Sequence, residues 1–120
     1  MGAEGYRNLR VWRAAKEVAV AVYHRTATGP LARDFGLRDQ LRRAAVSIPS
    51  NIAEGDERGT NKDSVRFLYM AKGSLAELRT QLEIARDIGA LAPSDYESLE
   101  AACAEVGRML GSLIKARSKP

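Results

Sequence analysis

Residues 40–55, QLRRAAVSIPSNIAEG, carry the spacing of an amphipathic helix with a proline in its middle. Leu41, Ala44 or Ala45, Ile48 and Ile52 fall on one face at three- and four-residue steps, while Arg38, Arg42 and Arg43 project elsewhere. Pro49 has no backbone N–H and crowds the carbonyl a turn earlier, which costs roughly 3 kcal/mol in an ordinary helix interior. Ser47, Ser50 and Asn51 add polar groups to the same turns. Stability alone does not select such a combination, so the segment is built for a specific shape. Asn51 and Ser47 are placed to satisfy backbone groups freed by Pro49, and Glu54 to pair with an arginine of the same or a neighbouring helix. Gly55 is placed to end the helix, which is expected over about residues 37–54.

Three more helices follow from the same spacing. Leu9, Trp12, Ala15, Val18 or Ala19, Val22 and Tyr23 predict a first helix over 9–26, stopped by Thr28, Gly29 and Pro30. The third, over 62–88, opens on Thr60 or Asn61 with Asp63 at its positive end and carries a stripe from Val65 through Leu68, Ala71, Leu75, Leu78 and Leu82 to Ala85. Gly89 closes it. Ser94 and Glu97 form a capping box for the fourth, over 95–116, whose stripe runs Leu99, Cys103, Val106, Leu110, Leu113 and Ile114. A basic tail, residues 115–120, is expected to fray. No period-two strand pattern competes and the connections are short. The fold class is therefore all-α, an antiparallel up-down-up-down four-helix bundle, with residues 1–120 as one domain. Gly73 with Ser74, and Gly107 with Gly111, would let another backbone approach closely, within or between subunits.

The ordered matches reach well beyond the proline segment, which closely resembles the signature of the four-helix-bundle family first described as encoded by the intervening sequence of bacterial 23S ribosomal RNA genes. Leu9, Val11, Trp12, Ala15 and Tyr23 look like the family's opening helix, and Phe35, Gly36 and Leu37 lead into its second. Arg58, Phe67, Leu68, Ala71, Gly73, Ser74, Leu75, Glu77, Leu78, Gln81 and Leu82 resemble its third-helix pattern; Met109, Leu110, Leu113 and Ile114 resemble its last helix. Ala32, Arg33 and Asp34 depart from a more acidic link before Phe35. The resemblance covers roughly the whole chain. It implies a small bundle that assembles as a homo-oligomer, a pentameric ring or barrel. A related branch, the accessory subunit of diversity-generating retroelements, binds nucleic acid and a reverse transcriptase through a basic surface, so RNA, DNA and a reverse transcriptase are the partners it suggests.

Residue chemistry argues against catalysis. His24 is the single histidine and Cys103 the single cysteine, with no metal-ligand spacing around either, so no metal, cofactor or intramolecular disulfide is expected. No Gly-rich phosphate loop or nucleophile elbow is present, and the chain reads as a non-enzyme. Glu54, Asp56 and Glu57 beside Arg58 read as a charge-paired surface rather than a magnesium cluster. Cys103, in EAACAEVG, reads as core in a reducing compartment. With no apolar run near the ~20 residues a membrane span needs, and no apolar segment in MGAEGYRNLR, a cytoplasmic protein without a membrane partner is expected.

The basic residues are the functional candidates. Lys and Arg number 19 against 15 Asp and Glu, a net charge of +4. Between Arg7 and Lys16 there is no carboxylate, and none follows Glu105. Arg7, Arg10, Arg13, Arg38, Lys115 and Arg117 are the candidate phosphate contacts, while Arg42, Arg43, Ser47, Pro49, Ser50, Asn51, Glu54 and Gly55 form a structural signature. In a five-fold ring the charge would multiply to about +20, enough to neutralise several phosphates through counterion release. Aromatic content of 6% suggests contact by backbone and shape, not base stacking. The leading expectation is a non-enzymatic oligomeric scaffold that binds RNA or DNA. The alternative is a structural or protein-interaction module whose charge is incidental.

Overall fold

In the computed structural model, which describes residues 5–119, a 3-10 turn Gly5–Asn8 precedes helices α1 (Arg10–Arg25), α2 (Gly29–Arg33), α3 (Phe35–Asp56), α4 (Asn61–Asp87) and α5 (Pro93–Arg117). Met1 to Glu4 and Pro120, the last residue of the expected tail, lie outside the described residues. Among the described residues there is no strand.

Short connections dictate the topology. The four residues from Glu57 to Thr60 reach at most about 14 Å, whereas α4 is about 40 Å long, so α4 must return along α3. The same holds for α4 and α5. α1 packs against α3 and α5, and α4 against both of the same helices, which closes the four long helices around one core. The molecule is 47 Å long and about 20 Å across. Each stripe supplies buried side chains, among them Val22 of α1, Ile48 and Ile52 of α3, Leu78 and Leu82 of α4, and Val106 and Leu110 of α5.

Local chemistry sets the helix ends. Asp34 accepts the Leu37 N–H at 3.1 Å and so starts α3 at Phe35, two residues before the expected boundary. Thr60 accepts the Asp63 N–H at 3.2 Å and starts α4. After α4, Gly89 adopts φ +77°, the Gly89 N–H bonds to Arg86 O, and the Ala90 N–H to Ala85 O, a Schellman stop.

Four local expectations are corrected. The segment after α1 is itself a short helix, because Pro30 suits a first turn and Leu31, 1% exposed, anchors it on the core. The Ser94–Glu97 capping box does not form: Pro93 opens α5, moving the cap position to Ala92, which has no side-chain acceptor. The expected fraying tail is helical through Arg117. Gly55 does not end α3; it is buried inside it, and a Cβ there would lie 3.0 Å from Ser64 O and 3.2 Å from Phe67 Cβ. α3 approaches α4 closely at this residue. A Cβ at Gly73 or Gly111 would meet open space, and one at Gly107 only side chains, Leu75 at 3.4 Å and Arg79 at 3.9 Å.

Gly55→Ala should therefore lower the thermal midpoint, by a loss of about 1–3 kcal/mol, because prising α3 from α4 outweighs the gain in helix propensity. Gly73→Ala should raise it by up to about 1 kcal/mol. Equal midpoints for the two variants in a circular-dichroism melt would refute the close-packing account. Cys103 is fully buried, and burial pushes its thiol up to about 12, from an ordinary value of 9.0. At pH 8 the native protein should alkylate about a thousandfold more slowly than the denatured chain, judged by thiolate fraction. The same shift makes stability fall as the pH rises from about 9 towards 12, where only the unfolded thiol ionises.

Candidate nucleic-acid interface

The polar signature of α3 resolves into a network that ties helices together. Asn51 Nδ2 donates to Ser47 O at 2.9 Å and to Ser47 Oγ at 3.0 Å, and the Ser47 and Ser74 hydroxyls share a hydrogen bond of 2.8 Å. The carbonyl that loses a donor to Pro49 is that of Ala45, so the Asn51 amide serves a different carbonyl from the expected one. Arg42 Nε donates at 2.8 Å to the hydroxyl of buried Thr26, which itself donates to Val22 O, and the Arg42 guanidinium lies 4.4 Å over the Tyr23 ring. Arg43 reaches Gln40 at 2.6 Å and Glu77 of α4 at 3.5 Å. Glu54 pairs with Arg58 at 2.8 Å, while Ser50 is exposed.

A second cluster closes the end of the bundle where α1 begins and α5 ends. Arg117 donates to Asp56 at 2.7 Å and to Ser64 Oγ at 2.7 Å, linking α5 to both sides of the α3–α4 turn. Asp56 is 6% exposed at its side chain and Arg117 20%, so this is the most buried ion pair among the described residues.

Of the candidate phosphate contacts, Arg7, Arg10, Arg13 and Lys115 are exposed and lie towards this same end. Arg10 borders a groove of about 540 Å³ shared with Arg108, Ser112 and Ala116, which places the start of α1 beside the end of α5. Arg13 donates to Arg7 O at 2.8 Å, and the Arg7 guanidinium stacks 4.8 Å over Tyr6. Arg117 shares this end with its guanidinium engaged by Asp56. Arg38 lies at the opposite end, held by Asp39 at 3.0 Å and stacked over Phe35.

The charge is unevenly distributed along the bundle. Divided at the helix midpoints, the half containing residues 5–17, 46–74 and 105–119 has twelve Lys and Arg against six Asp and Glu; the other half has seven against eight. In that other half, Arg25–Asp95, Arg43–Glu77, Arg79–Glu100 and Arg86–Asp87 neutralise one another, and the Glu100 carboxylate hydrogen-bonded to Arg79 raises that guanidinium's pKa further. The basic end includes Lys62, Arg66 and Lys72 of α4, which a search for positive runs passes over because they are spread along a helix face. Arg66 and Lys72 fall in a carboxylate-free stretch from Ser64 to Ala76, whereas Lys62 stands next to Asp63. His24 is exposed in the last turn of α1.

Fold and surface together define an all-α protein of four long antiparallel helices, charged at one end. The chain belongs to the 23S rRNA-intervening sequence protein family, whose model matches residues 7–112. It is similar to the crystal structure of a protein with unknown function from the S23 ribosomal protein family from Bacteroides thetaiotaomicron. The TM-score is 0.80 and the identity 25%, over 88% of this chain and 98% of that one. No curated protein matches the chain. No described helix is long and apolar enough to cross a membrane.

Arg117→Ala strands the buried Asp56 carboxylate and should destabilise the protein by roughly 2–4 kcal/mol in chemical denaturation. Asp56→Asn in the Arg117→Ala background should recover part of that loss. An Arg117→Ala protein as stable as wild type would show that the pair does not hold the helix end.

Proposed function

We propose that this protein is a non-enzymatic cytoplasmic scaffold that assembles as a homo-oligomer, a five-fold ring in the fullest form of the reading, and binds RNA or DNA through its basic end. The observation that carries the proposal is the twofold excess of cations over carboxylates in the half where α1 begins and α5 ends, against near-neutrality in the other. Arg7, Arg10, Arg13 and Lys115 are the phosphate contacts it favours, and assembly multiplies them. The accessory role of the retroelement branch, with a reverse transcriptase as partner, is one setting for such a scaffold.

A second reading, a protein-interaction module, has an observation of its own. A groove of about 540 Å³ between α1 and α3 is lined by Trp12, Val20, Tyr23, Val46, Pro49 and Ala53. Val20, Tyr23 and Val46 are each more than 40% exposed, and this is also a surface that a subunit contact would cover.

Titration of labelled RNA and duplex DNA, on protein whose mass is fixed by light scattering, separates the two readings. Four phosphate contacts predict a loss of affinity of about a hundredfold between 50 and 200 mM salt. Arg10→Ala and Lys115→Ala should weaken binding and flatten that salt slope, and Arg38→Ala should do so less. Absence of binding at low salt would sink the nucleic-acid reading and leave the groove as the functional surface.

A further inference from the structure

The outer face of α4 differs from the other basic surface in carrying an exposed ring. Lys62, Arg66, Tyr69 and Gly73 follow one another at four-, three- and four-residue steps and so form a single line along the helix, about 16 Å long, all of it exposed. Tyr69 is 54% exposed, and Lys72 Nζ lies over one face of its ring, 5.8 Å from the centroid, leaving the other face for a base. At Gly73, one turn further along the same line, nothing lies within 4 Å of where a side chain would begin, so a bare stretch of backbone adjoins the ring. Asp63, beside Lys62, is the one carboxylate between Lys62 and Ala76, and from Ser64 to Ala76 there is none to repel a phosphate.

We infer that this line is a docking site for single-stranded nucleic acid, with an unpaired base stacked on Tyr69 and the flanking phosphates held by Lys62, Arg66 and Lys72. Phosphate contact alone requires cations and would serve a duplex equally. A tyrosine ring flanked by cations with open space beside it provides a flat platform, and only a base released from its own stack can use one. The low aromatic content of the chain suggested backbone contact only, but one exposed ring correctly flanked is enough for one stacked base. This inference rests on the nucleic-acid reading above and adds strand selectivity and a residue to it.

The test is fluorescence anisotropy with unstructured single-stranded RNA, single-stranded DNA and a duplex of matched length, using wild type, Tyr69→Ala and Tyr69→Phe, each checked for mass by light scattering. Wild type should prefer the single strands. Tyr69→Ala should lose about tenfold in single-strand affinity with duplex binding unchanged, and Tyr69→Phe, which keeps the ring, should retain wild-type affinity. A loss on both single strands, or on RNA alone, supports the site and tells which strand it serves. Wild-type binding that Tyr69→Ala leaves intact, an equal loss on duplex, or a change in oligomer mass overturns this inference while leaving the basic-end reading standing. If wild type binds no nucleic acid at all, both fall.

Discussion

The absence of a side chain at Gly55 is the constraint on which the rest of the structure depends. α3 and α4 form the most extensive helix pair, and at Gly55 they come so close that a Cβ would touch the backbone of the partner helix. That contact fixes register at one end of the pair; the Ser47–Ser74 hydrogen bond fixes it near the middle and Arg43–Glu77 further along. With three spaced ties, α3 stays helical through Pro49, because the packing on both sides supplies what one missing backbone hydrogen bond takes away. The same closeness brings Asp56 and Ser64 together, and their meeting creates the seat for Arg117.

Charge polarity is then a consequence of packing. At the basic end three of the six carboxylates are engaged: Glu54 by Arg58, Asp56 by Arg117, Glu105 by Arg108. Each pair removes one cation along with one carboxylate, but the cations of α1 and α4 at this end have no such partners among the described residues. Net charge per chain is modest, and it is the excess of twelve cations over six carboxylates in this half, against seven and eight in the other, that makes the surface directional.

Periodicity carried the architecture because each stripe needs only apolar residues at three- and four-residue steps, and Leu41 to Ile52 or Leu68 to Ala85 satisfy that without reference to any other helix. What the pattern does not contain is position across helices. Gly55 read as a stop because glycine is common after helices, and only the nearness of Ser64 and Phe67, nine and twelve residues on, shows that it serves close packing. Arg117 read as a phosphate contact on a basic tail, since its partner Asp56 is 61 residues away and no local pattern joins them. The Ser94–Glu97 box obeyed its local rule and lost to a stronger local rule, the preset backbone of Pro93. Of the candidate interface, the runs in α1 and at the end of α5 were legible, whereas Lys62, Arg66 and Lys72 required knowing which side of α4 faces water.

Directional charge also bears on the assembly such a protein would use. A cyclic ring relates its subunits by rotation about one axis, so whatever component of a bundle's charge lies along that axis is copied unchanged into every subunit. Basic ends therefore gather on one rim, or in one belt if the bundles lie flat, and the repulsion between them is offset when a polyanion binds and releases its counterions. A two-fold dimer with its axis across the bundle would send the basic ends to opposite poles and dilute the field. If the proposed phosphate-binding scaffold assembles, charge segregation along the helix axis would favour a cyclic arrangement, and nucleic acid would then have a part in stabilising the ring.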